Sequence, residues 1–279
     1  MREISAQQIT QVVKKLCIEA NCYLPEDIRC RIESCHGEEP WGQAKEILER
    51  IIENYQIAEN NFQPICQDTG VACVFVKIGQ DVHIQGDLAE AINEGVRQGY
   101  AEGYLRKSVV RDPLDRVNTG DNTPAMIYYD IVPGDKLELT VAPKGFGSEN
   151  MSQIKMLKPS DGLQGVKEFV LKVVEEAGPN PCPPIVVGVG VGGTFDKAAY
   201  MAKKALMRSV DDRHPEPFWA ELEQELLEKI NELGIGPQGL GGKTTALSVN
   251  IEKFPTHIAA LPVAVNINCH VARHEKEVI

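Results

Sequence analysis

The spacing of hydrophobic positions changes along the chain from a helical period to a strand period. Between Ile9 and Ala20, apolar residues recur every three to four positions, which predicts an amphipathic helix. Similar spacing predicts helices at about 25–35 and 41–56, so we expect a helical region over residues 1–60. At 71–79 the largely apolar run VACVFVKIG is instead typical of a buried strand.

Beyond that strand, helical and strand patterns alternate. AMIYYDIV and KLELTVAP read as two strands, and we expect them to form a hairpin across Pro133 and Gly134. Further strands are predicted for PPIVVGVGV, TALSVNIEKF and IAALPVAVNIN. Further helices are predicted at 88–106, 161–177, 195–207 and 217–233. With no repeat and no obvious linker, the pattern predicts a mixed α/β fold in one domain, 1–279.

Composition and charge narrow the class of function. The 279 residues carry a net charge of −11, which disfavours an extended contact with nucleic acid. No apolar run reaches eighteen residues, so we expect no membrane span. The amino-terminal stretch is amphipathic and carries Glu3, unlike a secretory signal. Eight cysteines without such a signal predict a reducing, cytoplasmic environment rather than a disulfide scaffold.

Two glycine-rich segments raise the question of a phosphate site. In GIGPQGLGGKTTA (234–246), Pro237 stands six residues before Lys243, where a phosphate loop needs glycine. This segment also follows a predicted helix and precedes a predicted strand, which is the wrong order. The segment GVGVGGTFDKA (188–198) lies between a strand and a helix. Its glycines are compatible with tight packing or with a backbone N–H nest for an anion.

The cysteines fall into two sets. The first contains Cys17, Cys22, Cys30 and Cys35, whose spacing differs from structural zinc sites, together with Cys73 in a predicted strand. We expect these five to be small buried hydrophobes. The second set, Cys66, Cys182 and Cys269, lies in turn-like stretches beside apolar strands. Three such thiolates suit an iron–sulfur cube with one open iron, but a catalytic cysteine or plain packing also fits.

Six motifs occur in order between about residue 60 and the carboxyl terminus: PICQDTG, RVNTGDNTPA, APKGFGSENMS, PCPPIVVGVGVGGT, GIGPQGLGGKTTAL and PTHIAALPVAVNINCHVARH. Together they resemble the α subunit of the class I iron–sulfur fumarase and L-tartrate dehydratase family. The resemblance implies a 4Fe–4S cluster with one open iron, held by Cys66, Cys182 and Cys269. It also implies that GPQGLGGKTT is a turn ahead of the strand that leads His257 towards the cluster.

The resemblance also implies a set of residues around the substrate. Asp68, Arg106 and His257 would take catalytic parts, with Arg106 holding a substrate carboxylate. The residues implied in substrate binding are Gln67, Arg106, Gly145, Gly147 and His257. Asp68 also has a simpler interpretation, in which it only caps the turn with Thr69.

The activity implied is the reversible dehydration of (S)-malate to fumarate, a tricarboxylic acid cycle reaction, and L-tartrate is an alternative substrate. Single-chain relatives continue into a further domain, so the resemblance implies a separate β subunit and a dimer of αβ pairs. A non-catalytic iron–sulfur sensor and a nucleotide enzyme that uses residues 188–198 are the other classes. A sensor would not need Arg106, and a nucleotide enzyme would not need three cysteines.

Overall fold

A computed structural model describes residues 2–279, and its helices and strands confirm the mixed α/β class. The chain divides into two units. Unit 1 contains the described residues up to Pro25, together with Tyr55–Gly145 and Arg273–Ile279. Unit 2 contains Glu26–Asn54 and Phe146–Ala272. That residues 1–279 act as one catalytic domain stays a prediction.

Unit 1 contains two long helices and two sheets. Its elements are β1 (Arg2–Ser5), α1 (Ala6–Cys22), β2 (Val71–Gly79), β3 (Val82–Gln85), α4 (Leu88–Glu102), β4 (Met126–Val132), β5 (Leu137–Lys144) and β10 (Glu275–Val278). Strands β1 and β3 form a small parallel sheet. The larger sheet has the order β10-β5-β2-β4.

Strand β2 occupies the interior of this larger sheet. It pairs in parallel with β4, with Cys73 opposite Met126, and antiparallel with β5, with Val71 opposite Lys144. The predicted hairpin between β4 and β5 is therefore wrong, because β2 lies between them. A strand that is apolar over most of its length, as β2 is, gains from neighbours on both edges and cover on its faces. This requirement explains why β2 lies between β4 and β5 in the interior of the sheet.

The core of unit 1 lies between the sheet and helices α1 and α4. Ile9, Val13 and Leu16 of α1 are buried at the helical spacing that predicted the helix. Each fully buried aliphatic side chain of this kind contributes about 1.5–3 kcal/mol. The hydroxyl of Thr10 adds a hydrogen bond from α1 to the carbonyl of Ala91 in α4, at 2.9 Å. Packing and this contact together fix the helix pair.

Unit 2 has helices on both faces of a four-stranded sheet. Its elements are α2 (Glu26–Glu38), α5 (Phe146–Glu149), β6 (Gln153–Leu157), α6 (Gly162–Ala177), β7 (Ile185–Gly192), α7 (Phe195–Ala205), α8 (Pro217–Glu232), β8 (Ala246–Phe254) and β9 (Leu261–Asn268). Helix α3 (Gly42–Asn61) begins in unit 2 and ends in the segment assigned to unit 1. The sheet has the order β6-β9-β7-β8, and β7 is parallel to β8 and antiparallel to β9.

The two faces of β7 are built differently. Ile185, Val187, Val189 and Val191 join the apolar core formed with α6 and α8. On the other face, Gly188 and Gly190 let α7 approach closely: a Cβ on Gly190 would lie 2.1 Å from the carbonyl oxygen of Ala198. Gly188 and Gly190 thus serve strand–helix packing, one of the two interpretations open from the sequence.

Within residues 2–279, no helix is both long enough and apolar enough to cross a bilayer.

Candidate active site

The CQDTG motif forms a tight turn directly before β2 in unit 1. Asp68 accepts a hydrogen bond on Oδ1 from the backbone N–H of Gly70 at 3.0 Å, as in an Asx turn. Gly70 has a φ of +68°, and a Cβ there would lie 2.5 Å from the carbonyl of Lys144, so only glycine fits. The turn leaves Cys66 half-buried and the side chain of Gln67 exposed.

Gly145 lies against the carboxylate of Asp68. Strand β5 pairs with β2 so that Lys144 stands opposite Val71, which brings the end of β5 to the turn. A Cβ on Gly145 would lie 3.1 Å from Oδ2 of Asp68. Any side chain here would crowd the carboxylate, so the glycine leaves room beside it.

Arg106 lies beyond the end of α4. The predicted helix at 88–106 is too long, because α4 ends at Glu102, before Gly103 and a left-handed Tyr104 with φ of +53°. The carbonyl of Arg106 accepts a hydrogen bond from the Thr69 hydroxyl at 3.1 Å. The backbone of Arg106 is therefore held at the CQDTG turn, while its side chain is exposed.

Cys182 and Cys269 lie at one end of the unit 2 sheet. Cys182 precedes β7 and Cys269 follows β9, and the pairing of Val186 with Asn268 brings these strand ends together. The carbonyl of Cys182 lies 2.9 Å from Nδ1 of His270. Cys182 has a φ of +54° and is exposed, whereas Cys269 is half-buried.

Gly147 lies near the turn at Cys182. A Cβ added to Gly147 would be 3.6 Å from the carbonyl oxygen of Asn180. Other residues of the same motif are anchored to β9. Glu149 and the Ser152 hydroxyl accept hydrogen bonds from the Asn266 amide at 2.8 and 2.7 Å. These contacts hold the GFGSENMS segment in place within unit 2.

His257 lies at the other end of the same sheet. Strand β8 runs parallel to β7, so Phe254 at its end pairs with Gly192, away from the strand ends at Cys182 and Cys269. The eight residues of β9 separate the two ends by roughly 25 Å at about 3.3 Å per residue. The expectation that this strand leads His257 towards the cysteines of its own chain is wrong, because the parallel pairing carries it the opposite way.

The glycine segment 234–246 is a packing turn. It connects α8 to β8, and Gly241 lies under the ring of Trp41, where a Cβ would come 2.8 Å from the ring. The buried carboxylate of Glu39 accepts the backbone N–H of Lys243 at 2.9 Å. With a helix before it, a strand after it and the Glu39 carboxylate bound to it, the turn is unsuited to a phosphate.

The five cysteines outside the motif set differ in exposure. Cys17, Cys22 and Cys73 are buried as expected, and burial raises the pKa of Cys17 to about 12. Cys30 is exposed and Cys35 is half-buried, so the expectation of buried packing is wrong for these two. Both lie on α2, where only Ile28 and Ile32 face the interior.

The motif cysteines fit an iron–sulfur ligand set by their chemistry. Cys66, Cys182 and Cys269 lie in turns, retain solvent access and form no disulfide. Cys66 belongs to unit 1, and the other two belong to unit 2. No group of three His, Cys, Asp or Glu side chains in residues 2–279 is arranged to hold a metal ion.

Sequence reasoning passed over three buried polar side chains that contact the CQDTG turn: Tyr100, Asn122 and Arg273. Asn122 belongs to RVNTGDNTPA and Arg273 to CHVARH, so the motifs contained a signal for both. Tyr100 lies on the apolar face of α4 and looks like a core residue from its spacing alone.

Comparison with known proteins gives one consistent result. The model of the family described as Fumarate hydratase (Fumerase) matches residues 10–278. A protein of Methanocaldococcus jannaschii with the provisional name L(+)-tartrate dehydratase subunit alpha is 48% identical over 95% of each chain. The L(+)-tartrate dehydratase subunit alpha of Escherichia coli strain UTI89 is 34% identical over 98% of this chain and 91% of its own length. The K12 strain protein of that name is 33% identical over the same shares.

Proposed function

The chain belongs to the fumarate hydratase family of hydro-lyases, and on that premise we propose that it is the α subunit of a two-subunit enzyme that reversibly dehydrates a hydroxy dicarboxylate. The observation that carries this proposal is the CQDTG turn, where Asp68 lies beside Cys66 with Gly145 leaving room at its carboxylate. Arg106 is tied to the same turn through Thr69.

Within this class we propose (S)-malate and fumarate as the physiological pair. The family model that covers residues 10–278 is described as fumarate hydratase, which supports this choice. L(+)-tartrate is the second candidate, because the relatives at 48% and 34% identity carry that name. Both substrates present a hydroxyl between two carboxylates, so the same anion-binding residues would serve either.

The cofactor we propose is a 4Fe–4S cluster with one open iron, held by Cys66, Cys182 and Cys269. Their solvent access and their positions in turns support this assignment. When bound, such a cluster supplies a Lewis acid for the departing hydroxyl.

The chain's own residues bind and orient the substrate in this proposal. Arg106 forms a bidentate pair with one carboxylate, for which a planar guanidinium is suited. The Gln67 amide and the backbone N–H groups of Gly145 and Gly147 donate to the charge that develops on the carboxylate. Asp68 orients or relays a proton, and the absence of a side chain at Gly145 avoids crowding of its Oδ2.

His257 requires a second copy of the α chain. It lies at the end of the unit 2 sheet away from Cys182 and Cys269, and its side chain is exposed. We therefore propose that His257 contacts substrate in the site of a partner α chain. This arrangement supports a dimer of αβ pairs, since two-fold closure is the commonest assembly.

A β subunit completes the site in this proposal. A dicarboxylate needs cationic contacts at both ends, and the two arginines described at this turn are the exposed Arg106 and the buried Arg273, which binds a backbone carbonyl. The names of the relatives contain "subunit alpha", which also supports a partner chain. We propose that the β subunit supplies the second cation and the base for the C–H proton.

Anaerobic co-expression with a partner chain, followed by a screen of hydroxy dicarboxylates, tests the proposed function. We expect the absorbance of fumarate from (S)-malate and, more slowly, oxaloacetate from L(+)-tartrate, because the enol formed by dehydration of tartrate tautomerises to the keto acid. The order of the two rates decides between the candidate substrates. No product from any hydroxy dicarboxylate, with the cluster intact, would favour the alternative of a non-catalytic iron–sulfur sensor.

A further inference from the structure

Three successive backbone carbonyls of the turn after Cys66 each accept a hydrogen bond from a different buried side chain. The pairs are Arg273 Nη2 with Asp68, Tyr100 Oη with Thr69 at 2.8 Å, and Asn122 Nδ2 with Gly70 at 3.1 Å. Tyr100 and Asn122 are fully buried, and Arg273 is 3% exposed. We call Tyr100, Asn122 and Arg273 the turn clamp. All its contacts lie within unit 1.

The turn clamp contains features that cost stability. Nε and Nη1 of Arg273 are buried and have no hydrogen-bond partner within residues 2–279. A buried guanidinium that is only partly paired is destabilising relative to an apolar side chain of similar size. Asn122 also adopts the left-handed conformation, with φ of +63°. Costly groups that converge on one turn indicate a role other than stability.

The hydroxyl of Tyr100 is suited to act as a permanent donor. Burial raises the pKa of Tyr100 well above its ordinary value, so the hydroxyl stays protonated over the working pH range. It lies 2.8 Å from the carbonyl of Thr69 and 3.2 Å from that of Gly70. One side chain therefore restrains two adjacent peptide groups.

The turn clamp also reaches the segment that carries Arg106. Oδ1 of Asn122 accepts the backbone N–H groups of Ser108 at 2.6 Å and Val109 at 3.2 Å. Its amide nitrogen donates to Gly70 at the same time. Asn122 therefore joins the turn to the arginine segment through three hydrogen bonds.

We propose that Tyr100, Asn122 and Arg273 are positioning residues, which hold Gln67, Asp68 and Arg106 in the geometry that the reaction needs. This inference rests on the proposed function. The clamp residues act through the backbone and do not touch substrate. Since a misplacement of about 1 Å can lower a rate by about 10²-fold, the loss of a clamp contact lowers kcat more than it raises KM.

The first test compares Tyr100→Phe with Thr10→Val in the co-expressed enzyme. Each variant removes one buried hydroxyl that donates to a backbone carbonyl in unit 1, at 2.8 Å for Tyr100 and 2.9 Å for Thr10. The two variants should lose similar stability. We expect kcat to fall at least about tenfold in Tyr100→Phe, because rates are sensitive to the geometry of the site. In Thr10→Val we expect the wild-type kcat.

Arg273→Met provides a second test that does not depend on a loss of stability. Methionine fills similar space without an unpaired charge, so the melting temperature should stay the same or rise. We expect kcat to fall nevertheless, with KM little changed. Arg273→Lys keeps one donor and should restore part of kcat.

Amide hydrogen exchange over residues 66–70 separates this inference from the proposed function. Exchange should become faster in Tyr100→Phe and Arg273→Met, and stay unchanged in Thr10→Val. If the wild-type enzyme dehydrates no hydroxy dicarboxylate, the proposed function fails, and exchange still shows whether the clamp holds the turn. Unchanged exchange, or faster exchange with wild-type kcat, would overturn the positioning role.

Discussion

At the scale of single residues, Asp68 and Arg106 differ in how firmly the surrounding residues hold them. The Asp68 carboxylate is fixed by the N–H of Gly70, and its carbonyl is held by Arg273. Arg106 is held through its backbone carbonyl, while its guanidinium is exposed. A fixed Asp68 carboxylate and an exposed Arg106 guanidinium suit a site in which an anionic substrate forms an ion pair with the arginine. Motifs could predict both residues, but not this difference, which depends on contacts from Thr69 and Arg273.

We predict that Arg106→Lys lowers kcat/KM by at least about tenfold, because one lost charge-assisted hydrogen bond contributes about 1.5–3 kcal/mol. Lysine keeps the charge but cannot form two parallel hydrogen bonds to a carboxylate. Steady-state kinetics with (S)-malate measure the effect, and the cluster absorbance should not change. Arg111→Lys, an exposed arginine in the same loop, is the matched control. Equal kinetics for the two variants would remove Arg106 from the site.

We predict that serine at Cys66, Cys182 or Cys269 abolishes cluster retention, because three thiolates hold the iron. Iron and sulfide content of anaerobically purified protein measures the loss. Cys30→Ser tests an exposed thiol outside the motif, and Cys17→Ser tests a buried one. Both should keep the cluster. Loss of iron in these two, with retention in the motif variants, would move the site to the amino-terminal cysteines.

At the scale of elements, hydrophobic periodicity predicts the long helices and the buried strands well, because each carries its own pattern. Strand β2 occupies the predicted residues 71–79. The pattern could not place β2 between β4 and β5, since pairing partners are set by tertiary contacts. It also missed the four-residue strands β1 and β3, which are too short for a period. The predicted position of His257 was wrong for the same reason, because the direction of β8 is set by its pairing with β7 and not by its own sequence.

We predict that Gly190→Ala destabilises the protein by roughly 1–3 kcal/mol, the usual cost of overpacking. The added Cβ would come 2.1 Å from the carbonyl of Ala198, so α7 must move away from β7. Gly37→Ala on α2 is the control, because nothing lies within 4 Å of its added Cβ. Alanine there should stabilise the helix by about 0.5–1 kcal/mol. Thermal unfolding measures both, and equal melting temperatures would contradict the packing argument.

At the scale of the whole molecule, the net charge of −11 makes focused cations necessary for binding a dicarboxylate. The chain presents Arg106 at its candidate site, and the proposed assembly provides the rest. In that proposal a β subunit contributes the second cation, and a partner α chain contributes His257. The β subunit and the dimer of αβ pairs come from the resemblance, whereas the proposal that His257 acts in a partner's site rests on the direction of β8 in the unit 2 sheet.

We predict that two inactive α variants restore activity when they assemble together with β subunits. His257→Ala leaves the cysteines intact, and Cys182→Ser leaves His257 intact. If His257 acts in the partner's site, a mixed dimer contains one complete site, so turnover reappears on co-expression of the two. Continued inactivity of the mixture, with mixed dimers confirmed by mass spectrometry, would place His257 outside the partner's site.

The most direct measurement of the central claim is a titration of the anaerobically purified α chain with its purified β subunit, followed by the absorbance of fumarate formed from (S)-malate. The α chain alone should bind iron and sulfide and show almost no turnover. Activity should rise with added β subunit and saturate at one β per α, because each site needs both chains. Full turnover by the α chain alone would contradict the account, as would the absence of turnover at every ratio with the cluster intact.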